Sequence, residues 1–401
     1  MPERPSVLLV LPQLPHDPAS GAARSMRTIC EVLVAGGFNV RALAVTATER
    51  AHNENTAAHL ASLGIQPEIG KREKGNRPEL TFVHRGISYR LLDTAGTTFA
   101  GWQKLYNRQF DRMFDEELEQ FGPDIVFTLG GAPADVKRRQ RARRRGIKVV
   151  FGLRNMGYLA PGALDETDAV LAASRFLADR YRDAIGVECT ALPSPIEMQD
   201  VVAPERQAIF VTMINPTVDK GLMVFARIAE EVSRRRPTVA FLVIESRGTG
   251  GQLGGAALAG GFDLRRHENI IVSPPTPEPK DIYAGTRLLV VPSVAGDAAP
   301  RVIAEALLNG IPPIVSDRGG LPEAANGGGF VVAIPADVTP STRIPVSPEI
   351  AAPWVDLILR LTEDNAAYTA ASRRALDAAG IYRSGPLAER YVSFFMKIAH
   401  L

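Results

Sequence analysis

Residues 289–323 read LVVPSVAGDAAPRVIAEALLNGIPPIVSDRGGLPE, and this stretch decides the fold. Leu289, Val290 and Val291 start it as a buried strand, broken at Pro292-Ser293. A loop of small residues carries Asp297 and leads into a helix expected over about 300–309. Gly310 stops that helix, a second apolar strand follows (Ile311, Ile314, Val315), and Gly319-Gly320 closes the unit. Asp297 and Glu305 stand eight residues apart, one before the helix and one on its body. Amides at a helix start lack intrahelical partners and sit at the positive end of the dipole, so they attract phosphate. A carboxylate one to two turns along accepts hydrogen bonds from sugar hydroxyls. The segment therefore suits a ligand that carries both phosphate and sugar.

Outward from this segment, short apolar runs alternate with longer helical patterns. In the first half, strands are expected near 7–11, 40–45, 87–92, 125–129, 148–153 and 169–172. Helices are expected between them near 24–35, 53–63, 102–120 and 134–145, with another near 175–183. In the second half, strands are expected near 208–213, 239–244, 269–272, 288–291, 314–315 and 330–332. Helices are expected there near 221–234, 280–284, 300–308 and 353–362. Such alternation predicts an α/β fold with parallel sheets covered on both faces. Residues 192–200, with Pro193 and Pro195, read as a linker between two domains, 1–195 and 201–380.

The bulk properties are those of a globular chain. Its 401 residues are 45% hydrophobic and 22% charged, and the formal net charge is only +2, which argues against a nucleic-acid partner. Cys30 and Cys189 make no disulfide framework, which favours a reducing cytoplasm. His16, His52, His59, His84, His267 and His400 are scattered, so no metal site is expected. No segment approaches the length of a membrane span.

The segment 289–323 resembles the donor-binding signature of retaining, family 4 glycosyltransferases: an acid, seven residues, then Glu-Ala. Here the first acid is Asp297, where Glu is usual, and Glu305 is followed by Ala306. Asn309-Gly310-Ile311-Pro312, Gly319-Gly320 and Pro322-Glu323 extend the match. The resemblance implies the GT-B fold: two Rossmann-like domains facing each other across a cleft, the first binding acceptor and the second donor. It further implies that a C-terminal helix, 386–401, returns to complete the first domain. The implied activity is metal-independent hexosyl transfer with no bound cofactor. The donor would be a UDP- or GDP-linked sugar and the acceptor a glycan, a lipid-linked sugar or a small molecule.

The same resemblance assigns roles by position. Glu305 holds the ribose and Asp297 contacts the donor sugar, while amides near Ala298, Ala299, Arg301 and Val302 meet phosphate or sugar oxygens. Thr212 to Gly221, TMINPTVDKG, follows a strand and matches a Lys-Gly that places Lys220 against the departing diphosphate. Relatives carry an Arg just before; Met213 or Asn215 takes its place, leaving Arg247 or Arg301 to supply the charge. Residues 247–254, RGTGGQLG, read as a Gly-containing turn lining the nucleotide pocket with Glu245, Arg247 and Gly248. In the first domain, Gly21 lets backbone approach a ligand and Arg24 lies in the first turn of the next helix. Arg154-Asn155 ends a strand where many relatives place a sugar-contacting His. Residues 70–76 and the helix near 102–120 border the expected acceptor site.

Two readings stay open at this level. Residues 137–145, KRRQRARRR from Lys137 to Arg145, contain seven basic residues in nine. They serve either peripheral contact with anionic lipid on the inner membrane face or a solvated helix face. The missing Arg and Asp297-for-Glu also leave a non-catalytic nucleotide-sugar-binding protein, or less readily an epimerase, as the alternative to a transferase.

Overall fold

The computed structural model describes residues 4–49, 56–71, 75–94, 97, 101–276 and 278–400. Parts of the expected helix near 53–63 and of the stretch 70–76 lie outside these, as does His52. Within the described residues that helix runs over Thr56–Ser62. The chain divides into two compact units, Met1–Pro195 with Ser384–Leu401, and Ile196–Arg383.

The first unit holds β1 (Ser6–Leu11), β2 (Asn39–Val45), β3 (Glu68–Ile69), β4 (Glu79–His84), β5 (Ile87–Leu92), β6 (Ile125–Thr128), β7 (Lys148–Leu153), β8 (Ala169–Ala172) and β9 (Thr190–Ala191). Its sheet order is β3-β4-β5-β2-β1-β6-β7-β8-β9. The strands from β5 to β9 are parallel, and β3 and β4 add on antiparallel at one edge. The β4–β5 hairpin was not expected, because β4 alternates apolar and polar too briefly between polar flanks. Central strands such as Val7 to Leu11 are apolar at every position because helices cover both faces. Helix Trp102–Gln120 covers one face with Trp102, Phe110, Met113 and Phe114.

Helix Gly21–Ala35 belongs to the same unit as the terminal helix Ser384–Ala399, and the two pack together. Phe395 is fully buried and meets the rings of Phe38 and Phe127 edge-on, at 6.5 and 5.2 Å. The Tyr391 hydroxyl donates to the Pro193 carbonyl at 3.0 Å.

The second unit holds β10 (Phe210–Ile214), β11 (Phe241–Ile244), β12 (Ile270–Ser273), β13 (Thr286–Val291), β14 (Pro313–Ser316) and β15 (Phe330–Val332). These six strands are all parallel, in the order β12-β11-β10-β13-β14-β15. Helices Leu222–Arg235 and Pro348–Glu363 pack together, and their Phe225 and Trp354 belong to one buried core with β10, β11 and β13 residues. Helix Arg301–Leu308 contributes Ile303 and Leu307 to a second core with Leu289 and Val315. Two helices depart from the sequence reading. Residues 247–254 do not form a simple turn, since Gly250–Ala259 is a helix that Thr249 and Gln252 cap reciprocally. Asn365–Ala378 is a further helix, capped by Asp364.

Both sheets reverse direction at one point. In the second sheet chain order runs outward one way from β10 to β12, then the other way from β13 to β15. In the first, β1 to β2 runs one way and β6 to β9 the other, with β3 and β4 placed beyond β5 at the β2 side. Loops leaving the carboxyl ends of such neighbouring strands part to opposite faces and leave a crevice. In the second unit that crevice lies beyond Ile214 and Val291.

Deleting the aromatic ring of Phe395 leaves a cavity between the terminal helix and the sheet. Phe395→Ala should destabilise the first unit by about 3–5 kcal/mol. Chemical denaturation read by fluorescence and circular dichroism checks this; a loss below about 1 kcal/mol would show that the terminal helix is not integral to that core.

Candidate functional site

The segment between β10 and helix Leu222–Arg235 is shaped by tertiary contact. Asn215 leaves the strand with φ +63°, a left-handed conformation that Asn tolerates. Gly221 has φ +86°, and a Cβ there would lie 1.8 Å from the Pro292 carbonyl oxygen. Only glycine lets this loop rest on the one after β13. The Asp219 carbonyl then accepts the amides of Val294 and Ala295, at 3.0 and 3.2 Å.

The loop 292–300 is held from its other side as well. The Ser316 hydroxyl donates to the Ser293 carbonyl at 2.6 Å, and the Gly320 amide donates to the Asp297 carbonyl at 2.7 Å. A Cβ on Gly320 would sit 2.0 Å from the Ala298 carbonyl oxygen. The Gly319-Gly320 pair of the sequence motif thus lies under the loop that carries Asp297.

Two of the expected catalytic residues meet here. The Lys220 ammonium donates to Asp297 Oδ1 in an ion pair. Asp297 Oδ2 accepts the Ser293 hydroxyl at 2.7 Å. The side chains of Lys220 and Asp297 are 22% and 17% exposed, so the pair is neither sealed nor freely solvated. Helix Arg301–Leu308 begins just beyond, with Pro300 as its N-cap and no side chain capping the first amides. Ala298 is buried, and Ala299, Arg301 and Val302 are half-buried at this helix start.

Glu305 lies deeper than an exposed helical carboxylate. It is 2% exposed, and its Oε2 accepts the Tyr283 hydroxyl at 2.7 Å. Its Oε1 lies 3.4 Å from Arg301 Nε, one turn earlier. Across the loops, Arg247 lies 3.8 Å from Asp219, with both side chains over 40% exposed. Asn215 Oδ1 accepts the Gly248 amide at 2.9 Å. Glu245 Oε1 accepts the Gly250 amide at 2.7 Å, so this carboxylate caps a helix rather than standing open. Of the two residues considered for the absent Arg's place, Met213 is buried inside β10 and Asn215 is the one that reaches the loop. Sequence reading missed Ser293, Asp219 and Tyr283. Ser293 follows a strand-ending Pro, a weak signal; Tyr283 is 22 residues from Glu305 and no local pattern joins them.

The remaining expected residues belong to the first unit. Gly21 opens helix Gly21–Ala35, and among the described residues no atom lies within 4 Å of where its Cβ would be. Ser20 rather than Gly21 makes the cap, its hydroxyl accepting the Ala23 amide at 3.3 Å. Arg24 follows, half-buried, with its amide on the Ser20 carbonyl. Arg154 does not present itself at the strand end. It is buried, donates to the Leu171 carbonyl at 3.3 Å, and burial lowers its pKa from the usual value. Asn155 is exposed, and its side chain accepts the Gly157 amide at 2.8 Å in a local turn. His16 is enclosed by Phe82, His84 and Tyr89, and burial lowers its pKa well below the ordinary value.

The basic run is engaged within its own unit. Arg138 pairs with Asp111 and Asp135, and Arg139 donates to three carbonyls. Arg141 pairs with Asp111 and Asp115, Arg143 with Glu166 and Asp168, and Arg145 with Glu119. Five of the seven cations thus face acids or carbonyls of their own unit, and Lys137 and Arg144 stand outside these contacts. Among the described residues, no group of three or more His, Cys, Asp or Glu is arranged to hold a metal, and no helix is long and apolar enough to cross a membrane.

Comparison with known proteins agrees with this geometry. Residues 205–364 match the family model for Glycosyl transferases group 1. A search of curated proteins finds no match. Among solved structures, sucrose-phosphate synthase from Thermosynechococcus elongatus is similar at a TM-score of 0.68 and 13% identity, over 98% of this chain and 99% of that one. HepE from Anabaena, in complex with UDP-glucose, aligns at 0.65 and 14% identity, over 98% and 99% of the two chains. The catalytic domain of starch synthase IV from Arabidopsis thaliana, bound to ADP and acarbose, aligns at 0.64 and 12% identity, over 98% and 100%. The chain thus has two Rossmann-like units of the GT-B type, and residues 205–364, within the second unit, match the model for Glycosyl transferases group 1.

Proposed function

We propose that the protein transfers a hexosyl group from a nucleotide-diphosphate sugar to a hydroxyl acceptor, with retention at the anomeric carbon. The observation that carries this reading is the Lys220–Asp297 pair at the reversal point of the second sheet, beside an uncapped helix start. A diphosphate entering there exchanges Asp297 for phosphate oxygens on Lys220, and the amides of Ala298, Ala299, Arg301 and Val302 add donors. Asp297 stays oriented by Ser293 and accepts from the donor sugar's hydroxyls. Ribose hydroxyls take the Glu305 oxygen now at 3.4 Å from Arg301, while the Tyr283 bond holds the other.

Charge developing on the departing diphosphate is where a fixed cation gains most, because Lys220 meets more negative charge in the transition state than in the ground state. In this reading no side chain acts as a covalent nucleophile. Attack on the same face as departure, with the leaving phosphate receiving the acceptor's proton, accounts for retention. UDP- and GDP-linked sugars are the proposed donors; HepE and starch synthase IV, with UDP-glucose and ADP, are similar in fold. The first unit would receive the acceptor, through the loop before Gly21 and Arg24. Arg154 is left out of this proposal because it is sealed within its unit.

Titration with UDP, GDP, ADP and dTDP should show one preferred diphosphate. Lys220→Ala should weaken it roughly ten- to a hundredfold, the scale of one charge-assisted hydrogen bond. Glu305→Gln should weaken the ribose-bearing ligand and leave inorganic diphosphate binding unchanged. No binding of any diphosphate by the wild type would end the donor-site reading.

Stereochemistry is a separate test. NMR of the first-formed product should show the donor's anomeric configuration; an inverted product would exclude the proposed mechanism while leaving the donor site intact.

A further inference from the structure

The Glu305 carboxylate depends on a helix other than its own. Its partner Tyr283 lies on helix Pro279–Gly285, while Glu305 lies on helix Arg301–Leu308. Glu305 and Tyr283 are 2% and 1% exposed, so the 2.7 Å bond between them requires the two helices to keep a fixed spacing. What sets that spacing is found at their carboxyl ends. The last carbonyls of a helix lack intrahelical partners and sit at the negative end of its dipole. Neither helix carries a basic residue in its last turn to meet them.

Arg206 meets both sets. Its Nη1 donates to the Asn309 carbonyl at 2.6 Å, at the end of the Glu305 helix. Its Nη2 donates to the Thr286 carbonyl at 2.6 Å and its Nε to the Tyr283 carbonyl at 3.4 Å, at the end of the Tyr283 helix. Nη2 also reaches the Tyr368 hydroxyl at 3.4 Å. A planar fork spans two helix ends at once, which the single ammonium of a lysine does not. Backbone bonds hold Arg206 in this position. The amides of Gln207 and Ile209 donate to the Ala284 and Gly285 carbonyls, at 2.8 and 2.9 Å. Ala208 between them has φ +49°, a costly conformation for alanine that persists only where surrounding contacts over-determine it. On the other helix, the Asn309 side chain accepts the Ala203 amide at 2.9 Å and donates to the Glu305 carbonyl at 2.8 Å. The segment 203–209 is thus bonded to both helices, on either side of Arg206.

We propose that Arg206 is the positioning residue of Glu305. By clamping the carboxyl ends of the two helices it keeps the Tyr283 hydroxyl on Oε2 and leaves Oε1 for the ribose of the donor nucleotide. This inference rests on the donor reading of the site. Without the clamp the helix ends part, the Tyr283–Glu305 bond fails, and the carboxylate turns to its other neighbour, Arg301. The consequence is selective. Ribose hydroxyls lose their acceptor, whereas the diphosphate, which meets Lys220 and backbone amides in the same reading, loses nothing.

The test is calorimetric titration of the full chain with UDP and GDP, with their 2′,3′-dideoxy counterparts, and with inorganic diphosphate. The wild type should prefer the ribose form. Arg206→Lys keeps the charge but not the fork, and should reduce that preference roughly three- to tenfold, the scale of one hydrogen bond, with inorganic diphosphate unchanged. Arg206→Gln should reduce it likewise. Tyr283→Phe should reduce it by at least as much, and adding Arg206→Lys to Tyr283→Phe should cost little more, because both act through one bond. Melting curves of each variant report that the fold is kept, and Arg206→Lys, the milder change, carries the test if Arg206→Gln does not fold. If Arg206→Lys keeps the full ribose preference, or its loss adds in full to that of Tyr283→Phe, the inference is wrong while the donor site stands. If the ribose form, the dideoxy form and inorganic diphosphate all weaken by one factor, Arg206 is a structural cap alone and the inference is overturned. If the wild type binds a diphosphate without preferring ribose, the ribose role of Glu305 fails and this inference fails with it. If the wild type binds no diphosphate, the donor reading itself fails.

Discussion

The ion pair between Lys220 and Asp297 is the constraint on which the proposed donor site depends. Its partners come from loops 77 positions apart in sequence and meet because β10 and β13 are neighbours in the sheet. In the half-buried setting each charge would otherwise face a partly low-dielectric surround alone, a state more costly than the pair. Exposure of about a fifth on either side leaves the pair within reach of the anion proposed to bind there. Ser293 binds the other carboxylate oxygen and so fixes Asp297 independently of Lys220.

Around this pair backbone contacts fix the loops, with short side chains such as Ser316 and Asn215 adding bonds to them. Pro292 presses on Gly221 and Ala298 on Gly320, at separations that leave no room for a Cβ. Carbonyl and amide groups of the three loops bond to one another, so the site's geometry is inherited from the sheet and does not rely on long, mobile side chains. Rigid framing of this kind is what preorganised electrostatic stabilisation requires.

Much of this was legible in sequence, for identifiable reasons. Parallel strands buried on both faces read as unbroken apolar runs, so Val7 to Leu11 and Leu288 to Val291 were plain. Asp297, Glu305 and Lys220 stood out only through the resemblance of their spacing to a family signature, whereas close backbone approach accounts for Gly221 and Gly320. The depth of Glu305 was not, because it is set by Tyr283 on another helix. The side-chain direction of Arg154 was not either: its strand end was expected correctly, but a terminal residue points inward or outward according to what packs beside it. The Gly-rich 247–254 misled because glycine disfavours helix; the reciprocal Thr249–Gln252 cap outweighs that preference at the N-terminus.

The basic run shows the same lesson in charge. Read alone, seven cations in nine residues suit an external anionic surface or a solvated helix face equally. Yet helix Trp102–Gln120 carries Asp111, Asp115 and Glu119 four residues apart, on one face. Arg138, Arg141 and Arg145 recur at three and four residues, and they meet those acids one after another. Arg138 is buried between Trp102 and Phe110, where removing its carboxylates would strand a desolvated charge. A charge run is therefore interpretable only with the complementary run in view. In this chain three arginines of one helix find their counterions on the other.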